Sequence, residues 1–335
     1  LGEADDEGTE PAMDEVIAGQ VARATTIVTD YIFDSSDTYA KNPNFSQALK
    51  DKLNELIAQA ASASGVEAKY ALIQEFSKIF NEIILCKRAY VQLFAAQASL
   101  EEALIGLSTL ISEEEFENLS NMVIDLQIGY ADGIYSTEEA LAKVAEIYAL
   151  DMMPEIVDGV YQLSTKMHMV AFSAIANKLD NKANAVMLND IDMSEVDFQP
   201  IGNDVAGHRY SGTFDGQGHK FMNLSVNWGG NYFGLFGCVG AGAVIKNFII
   251  DNSCYIFGTG SYGGIIGGSN EAGTITIQQL GMEGTIETAN VEAAGIIGCN
   301  MGSTATFHIE NCYVTGQVIG NGNMAAVCAW TGGKG

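Results

Sequence analysis

Positive charge is scarce in this chain: 16 Lys and Arg stand against 42 Asp and Glu, a formal charge of −26. Nucleic-acid binding needs cations clustered on phosphates, so that class of partner is excluded, and an anionic membrane surface is disfavoured for the same reason. Long apolar runs are also missing. No stretch reaches the roughly 18 residues that would read as a membrane span, and no basic-then-apolar leader opens the chain. The acidic opening, residues 1–10, has no hydrophobic periodicity and is expected to be flexible, which suits a tether left after an export signal or lipid anchor is removed.

Paired cysteines are absent too. One of the six, Cys86, lies in the N-terminal half, and Cys238, Cys254, Cys299, Cys312 and Cys328 follow without CxxC spacing. A zinc site wants thiolates paired with His at short spacings, so these residues read as small buried fillers. Proline, at only 4, punctuates the first half at Pro11, Pro43 and Pro154, as expected of helix starts and breaks.

What is present divides the chain in two. Only 8 of the 37 glycines fall in the first 180 residues. Over 11–180 the apolar residues recur at helical spacing: Val16, Ile17, Val21, Ala24, Ile27, Val28 and Tyr31, then Phe45, Leu49, Leu53, Leu56 and Ile57. The segment 67–98 is apolar nearly all round and reads as a central buried helix. Capping boxes at Ser99/Glu102, Ser112/Glu115 and Ser136/Glu139 predict further helix starts, and 153–179 predicts a last helix. A metal site inside a helical bundle needs inward Glu-x-x-His pairs, and His168, the one histidine here, has no Glu three residues before it.

From 181 to 335 short β-rich runs alternate with Gly and Asn. Gly234-Leu235-Phe236-Gly237, Gly264-Ile265-Ile266-Gly267 and Gly295-Ile296-Ile297-Gly298 recur at a spacing of 30 and then 31 residues. Ala325-Ala326-Val327-Cys328 occupies a degenerate fourth place, and Ile245, Ile275 and Phe307 are expected to lie in register behind the glycines. A period of this length means that no unit buries its apolar side alone, so successive units stack into a solenoid. The fold class expected is α+β multidomain: an N-terminal all-α helical bundle followed by a C-terminal β-solenoid of β-helix type.

These marks, with Phe198-Gln199-Pro200-Ile201-Gly202 and Gly212-Thr213-Phe214-Asp215-Gly216-Gln217-Gly218-His219 upstream, resemble the GLUG-motif repeats of bacterial surface proteins, adhesins and Bacteroidetes proteins among them. The resemblance covers about 184–335. It implies a β-helix-like scaffold outside the cell, with a role in adhesion and no catalytic residue carried by the repeat itself. A host or bacterial surface glycan or protein is the implied partner.

Other residues invite chemistry. Gly258-Thr259-Gly260-Ser261-Tyr262-Gly263 matches the dinucleotide-binding glycine pattern, but another strand mark follows at once instead of the helix that pyrophosphate requires, so the motif reads as solenoid corners. Asp190 and Asp192 share one face of a strand and Asp215 follows. Together they could hold calcium or serve as acid and base on a glycan, although Asp in β-corners more often caps its own turn. Trp228 and Tyr262 lie beside glycines in turns, and with Tyr210 they are the aromatics expected to stack on a ligand. The leading expectation is a non-enzymatic surface module without a cofactor. A carbohydrate-active enzyme or calcium-dependent glycan binder and an architectural spacer stand as alternatives.

Overall fold

The computed structural model describes residues 6–31, 47–131, 134–301 and 305–331. Residues 1–5, Pro43, Phe45, the side chain of Cys86 and residues 332–335 lie outside that description, and the expectations placed on them are left there.

Among the described residues the N-terminal half is helical. Helix α1 (Asp6–Thr26) begins ahead of Pro11 and runs on into a π turn at Ile27–Tyr31. Helices α2 (Gln47–Ala60), α3 (Val66–Leu107), α4 (Glu113–Ala131) and α5 (Thr137–Tyr148) follow. Ile17 and Ala24 of α1, Leu49, Leu53 and Leu56 of α2, and Leu72, Phe76, Ile79, Phe80 and Ile83 of α3 form one buried cluster. Lys69 pins α1 to the start of α3 through Glu10 at 3.1 Å and Asp14 at 2.6 Å. Among the described side chains of α3, Tyr70, Ile84 and Phe94 are exposed, which corrects the expectation of a helix buried all round.

Two of the three capping boxes start helices as expected. Ser112 and Glu115 bond reciprocally ahead of α4, and Ser136 and Glu139 do the same ahead of α5. Ser99 starts none. It sits inside α3, where its hydroxyl is buried 2.7 Å from the Tyr161 hydroxyl, so tertiary packing overrides the local signal.

The helix expected over 153–179 is also corrected. Residues there form an antiparallel hairpin, β1 (Glu155–Val157) and β2 (Val160–Leu163), before a shorter helix α6 (Lys166–Lys178). The hairpin turn has Asp158 and Gly159 both at positive φ, the Asp-Gly chemistry of a tight two-residue turn. Strand β2 then pairs in parallel with β3 (Asn184–Met187), so sheet structure begins ahead of the glycine-rich region.

The C-terminal half is a β-solenoid of about five turns. The main sheet runs from β1, β2 and β3 through β5 (Thr213–Met222), β8 (Val244–Ile250) and β11 (Gly273–Met282) to β15 (Ala305–Glu310); β4 (Ile191–Asp192) pairs with β5, and β16 (Tyr313–Val314) with β11. A second face stacks β6 (Ser225–Trp228), β9 (Tyr255–Gly258), β12 (Thr285–Thr288) and β17 (Gln317–Ile319). A third stacks β7 (Phe236–Cys238), β10 (Ile266–Ser269), β14 (Ile297–Asn300) and β19 (Cys328–Thr331), while β13 (Glu292–Ala294) pairs with β18 (Asn323–Ala325). Apart from the β1–β2 hairpin, the pairings between named strands are parallel, as a coil that returns to the same face each turn requires.

Register follows the repeat with two corrections. Phe236, Ile266, Ile297 and Cys328 align, which moves the degenerate fourth mark one residue on, to begin at Ala326. On the main sheet Ile275 pairs with Phe307 as expected, but Ile245 pairs with Ile277. The slip is two residues, so every apolar side chain still points inward, and alternation alone cannot distinguish the two registers. Gln217, Asn247, Gln279 and Asn311 take the left-handed conformation (φ 51 to 62°), one in each of four successive main-sheet strands or just beyond, where the strand bulges at a corner.

The aromatic core lies near the first coils. Phe214 has Phe236 at 5.3 Å, Phe248 at 5.7 Å and Phe172 of α6 at 6.1 Å, centroid to centroid. Helix α6 closes this end: Thr165 caps its N-terminus, Phe172 is fully buried, and Ser173 and Asn177 donate to the carbonyls of Gln199 and Pro200. Two compact units emerge, one of residues 1–97 and 121–145, the other of residues 98–120 and 146–335, so the last turns of α3 belong with the solenoid.

Candidate functional site

The three predicted aromatics fare differently. Tyr210 is fully buried; its hydroxyl donates to the Ala183 carbonyl at 2.9 Å and its ring packs on Phe172 and Phe236. It is a core residue that cannot touch a ligand, and burial pushes its phenol far above the ordinary value. Its inward position is set by the pairing of Tyr210 with Val239. Trp228 is half-buried at the end of β6, with its indole N–H donating to the Asn231 carbonyl at 3.3 Å.

Tyr262 is half-buried and has a partner that the sequence did not single out. Tyr232, 30 residues earlier and buried, packs against it with ring centroids 5.1 Å apart and the rings inclined by 42°. Both tyrosines hold positive φ, 58° and 75°, a conformation costly for bulky residues. The signal that could have found them is their equal distance ahead of successive glycine marks. The pair packs on Cys238 and Cys299 and, through this cluster, on Trp330; Cys238, Gly268, Cys299 and Trp330 form one ladder across β7, β10, β14 and β19. Burial raises the Cys238 thiol to about 11, so it stays protonated.

Polar groups edge this aromatic strip. The Arg209 guanidinium meets Glu271 at 3.2 Å, donates to the Asp204 carbonyl at 3.2 Å, and bonds to Asn270. Cys238 Sγ in turn donates to Asn270 at 3.6 Å. Tyr232 is itself buried, so the aromatic surface left for a ligand here is that of the half-exposed Tyr262.

The aspartates are drawn to separate partners. Asp190 accepts from the Lys220 backbone N–H at 3.1 Å and stands 3.2 Å from His219 Nδ1. Asp192 accepts from Asn223 Nδ2 and the Ser194 N–H, which together hold its carboxyl below the ordinary value. Burial pushes Asp215 up, but the Gln217 N–H, Asn247 and Lys246, the last at 3.0 Å, outweigh it and leave the carboxyl lowered. Asp192 to Ser194, Asp215 to Gln217 and Asp251 to Ser253 are each a carboxylate capping the amide two residues on, the turn role of Asp. Among the described residues, no three His, Cys, Asp or Glu side chains are grouped to hold a metal ion.

The glycine pattern at 258–263 opens no helix. Strand β9 ends in it and β10 follows. A Cβ on Gly258 or Gly263 would run into the Phe233 ring, and one on Gly260 into the Gly230 carbonyl, so these glycines admit a buried phenylalanine and a neighbouring coil. His168 is buried, with Nδ1 accepting from the Ser164 N–H and Nε2 3.5 Å from Asp151, and burial lowers its pKa.

A stretch of 102 residues, 30% of the chain, is 37% identical to halomucin of Haloquadratum walsbyi; it amounts to 1% of that protein's length. No family model matches the chain. No solved structure matches it either. No helix among the described residues is long and apolar enough to cross a membrane.

Proposed function

We propose that the chain is a non-enzymatic, bacterial cell-surface module of the GLUG-repeat kind, in which the solenoid presents a ligand-binding face to surface glycans or proteins and the helical bundle serves as its stalk. One observation carries this reading: two tyrosines at equivalent repeat positions, Tyr232 and Tyr262, pack ring against ring in a strained conformation, with the half-exposed Tyr262 lying over the buried Tyr232. Strain of this sort persists where surrounding structure enforces it, and it concentrates at binding sites. The bond from the Lys220 N–H to Asp190 in the next coil and the turn-capping bonds of Asp192 and Asp215 weigh against calcium or acid–base chemistry there, because a caged or reacting carboxylate needs free oxygen lone pairs.

A glycan and matrix-protein array, probed with and without calcium, tests the reading. Binding by the unaltered chain that survives chelation and the Asp190→Ala/Asp192→Ala pair, but is lost in Tyr262→Ala, is the result expected. Binding that requires calcium and the aspartates would move the site to them and revive the glycan-active reading. Silence across the array would favour an architectural spacer.

A further inference from the structure

A groove of about 380 Å³ runs between α1 and α3 within the helical unit. Val16, Gln20 and Arg23 of α1 recur at helical spacing along one wall, and Ser77, Phe80 and Ile84 of α3 do the same along the other, so the groove follows both helices for about 10 Å. Gly19 widens the α1 side. A Cβ there would meet nothing within 4 Å, whereas a Cβ on Gly106 or Gly129, the glycines inside α3 and α4, would run into Ala174 or the Tyr135 ring. Packing requires those two. Gly19 weakens its helix relative to alanine and no contact in the protein requires it, which leaves the open space itself as what it provides.

Two polar groups of this groove are unspent. The Arg23 guanidinium lies over the Phe80 ring, its central carbon 4.4 Å from the centroid, an arrangement that fixes the group while leaving its in-plane N–H donors free. Among the described residues no carboxylate pairs with it, although Asp and Glu outnumber Lys and Arg by 42 to 16, and it is the one charged residue lining the groove. Gln20 Nε2 donates to the Ile73 carbonyl at 3.3 Å and to the Ser77 hydroxyl at 3.4 Å. Only a donor can face the Ile73 carbonyl, so the orientation of the amide is set, and Oε1 is left buried with no donor. A buried acceptor in that state is costly. Val16 and Ile84, 47% and 40% exposed, add apolar surface at the two ends.

We propose that this groove binds a terminal carboxylate whose neighbours are an amide N–H and an apolar side chain, the end shared by an N-acyl amino acid and a peptide. The carboxylate takes the free Arg23 donors as a charge-assisted pair. The amide N–H supplies the donor that Gln20 Oε1 lacks, about one helical turn back along α1, and the apolar side chain fills the space beside Gly19 and Val16. Phosphate would satisfy Arg23 as well, but it brings neither an N–H for Gln20 nor an apolar part for the groove. The site lies in the helical unit and stands whether or not the solenoid binds a ligand.

Ligand-observed NMR titration of the whole chain with N-acetyl-leucine tests this. A Kd of about 1 mM is expected for so small a ligand, with N-acetyl-leucinamide, which lacks the charge, weaker by about tenfold or more. Arg23→Gln should weaken the acid by a similar factor. Gly19→Leu fills the groove with a side chain that favours helix, so it should abolish binding while circular dichroism shows the chain still folded. Gln20→Leu should remove the advantage of N-acetyl-leucine over 4-methylpentanoate, its counterpart without the N–H. A short peptide ending in a free leucine that binds far more tightly than N-acetyl-leucine assigns the groove to chain ends, and equal affinity assigns it to small acids. Equal affinity for the acid and its amide, binding unchanged in Gly19→Leu, or no binding of any probe at about 10 mM, ten times the expected Kd, overturns the proposal.

Discussion

The helical unit and the solenoid bury apolar residues by opposite means. In α1, α2 and α3 a single stripe of each helix is covered while the backbone satisfies itself locally, and Tyr70, Ile84 and Phe94 can stay exposed on α3 without disturbing the cluster around Phe76. In the solenoid the backbone bonds join residues about thirty apart, as in Tyr255 N–H to Leu224 O or Thr285 N–H to Cys254 O, and the enclosed positions are ladders with no exposure at all. A helix therefore tolerates change on most of its surface. A coil is committed at nearly every residue, because its side chains pack inward while its backbone is pressed against two neighbours.

Both tryptophans, Trp228 and Trp330, lie in the solenoid, so indole fluorescence follows that unit while the 222 nm ellipticity follows chiefly the helices. The largest effect should come from Phe214→Ala, which empties the place where four other aromatic rings meet; a loss of about 3–5 kcal/mol in the fluorescence transition is expected. If the helical transition fell by the same amount, the two units would be one cooperative body and the contrast would fail. A pair of glycine substitutions sharpens it. Gly234→Ala would drive a Cβ into the Gly264 carbonyl and should cost about 1–3 kcal/mol, whereas Gly19→Ala, in the middle of α1 with open space around it, should stabilise the helices by about 1 kcal/mol. Equal signs at the two positions would show that glycine plays the same part in both units.

The smallest effect is one of pH. His168 sits at the start of α6, and burial lowers its folded pKa below the ordinary 6.5, with Asp151 opposing. The unfolded chain then binds the proton more readily than the folded one, so solenoid stability should be complete above that value and decline as pH falls below it. His168→Gln should flatten this slope in fluorescence-monitored denaturation between about pH 5 and 7. An unchanged slope would place the sensitivity elsewhere.

Much of the solenoid was legible because its signal is repeated: the glycine marks fixed the period, and Phe236, Ile266 and Ile297 align as that period requires. Two features were not. The two-residue slip at Ile245 is invisible to alternation, since both registers turn the same faces inward. The hairpin at 155–163 lies inside the stretch that reads as one helix from Met153 to Leu179, because Asp158 and Gly159 are not weighed as a turn. At the candidate site Tyr262 is legible from its flanking glycines, but Tyr210, expected with it among the ligand-facing aromatics, is placed within by its pairing to Val239. Glycine marks the corner; it does not say which way the neighbouring ring turns.

The constant alignment of one coil on the next makes length a separable property of this molecule. Duplicating or deleting one repeat unit would lengthen or shorten the solenoid by about 4.8 Å, the spacing between paired strands, while leaving α6 and the final coil as they are. Variation by whole repeats is thus open to this lineage as a way of changing reach without redesigning either end, whereas insertion of a part-repeat would turn the ladders of Ile245, Ile277 and Ile309 out of line.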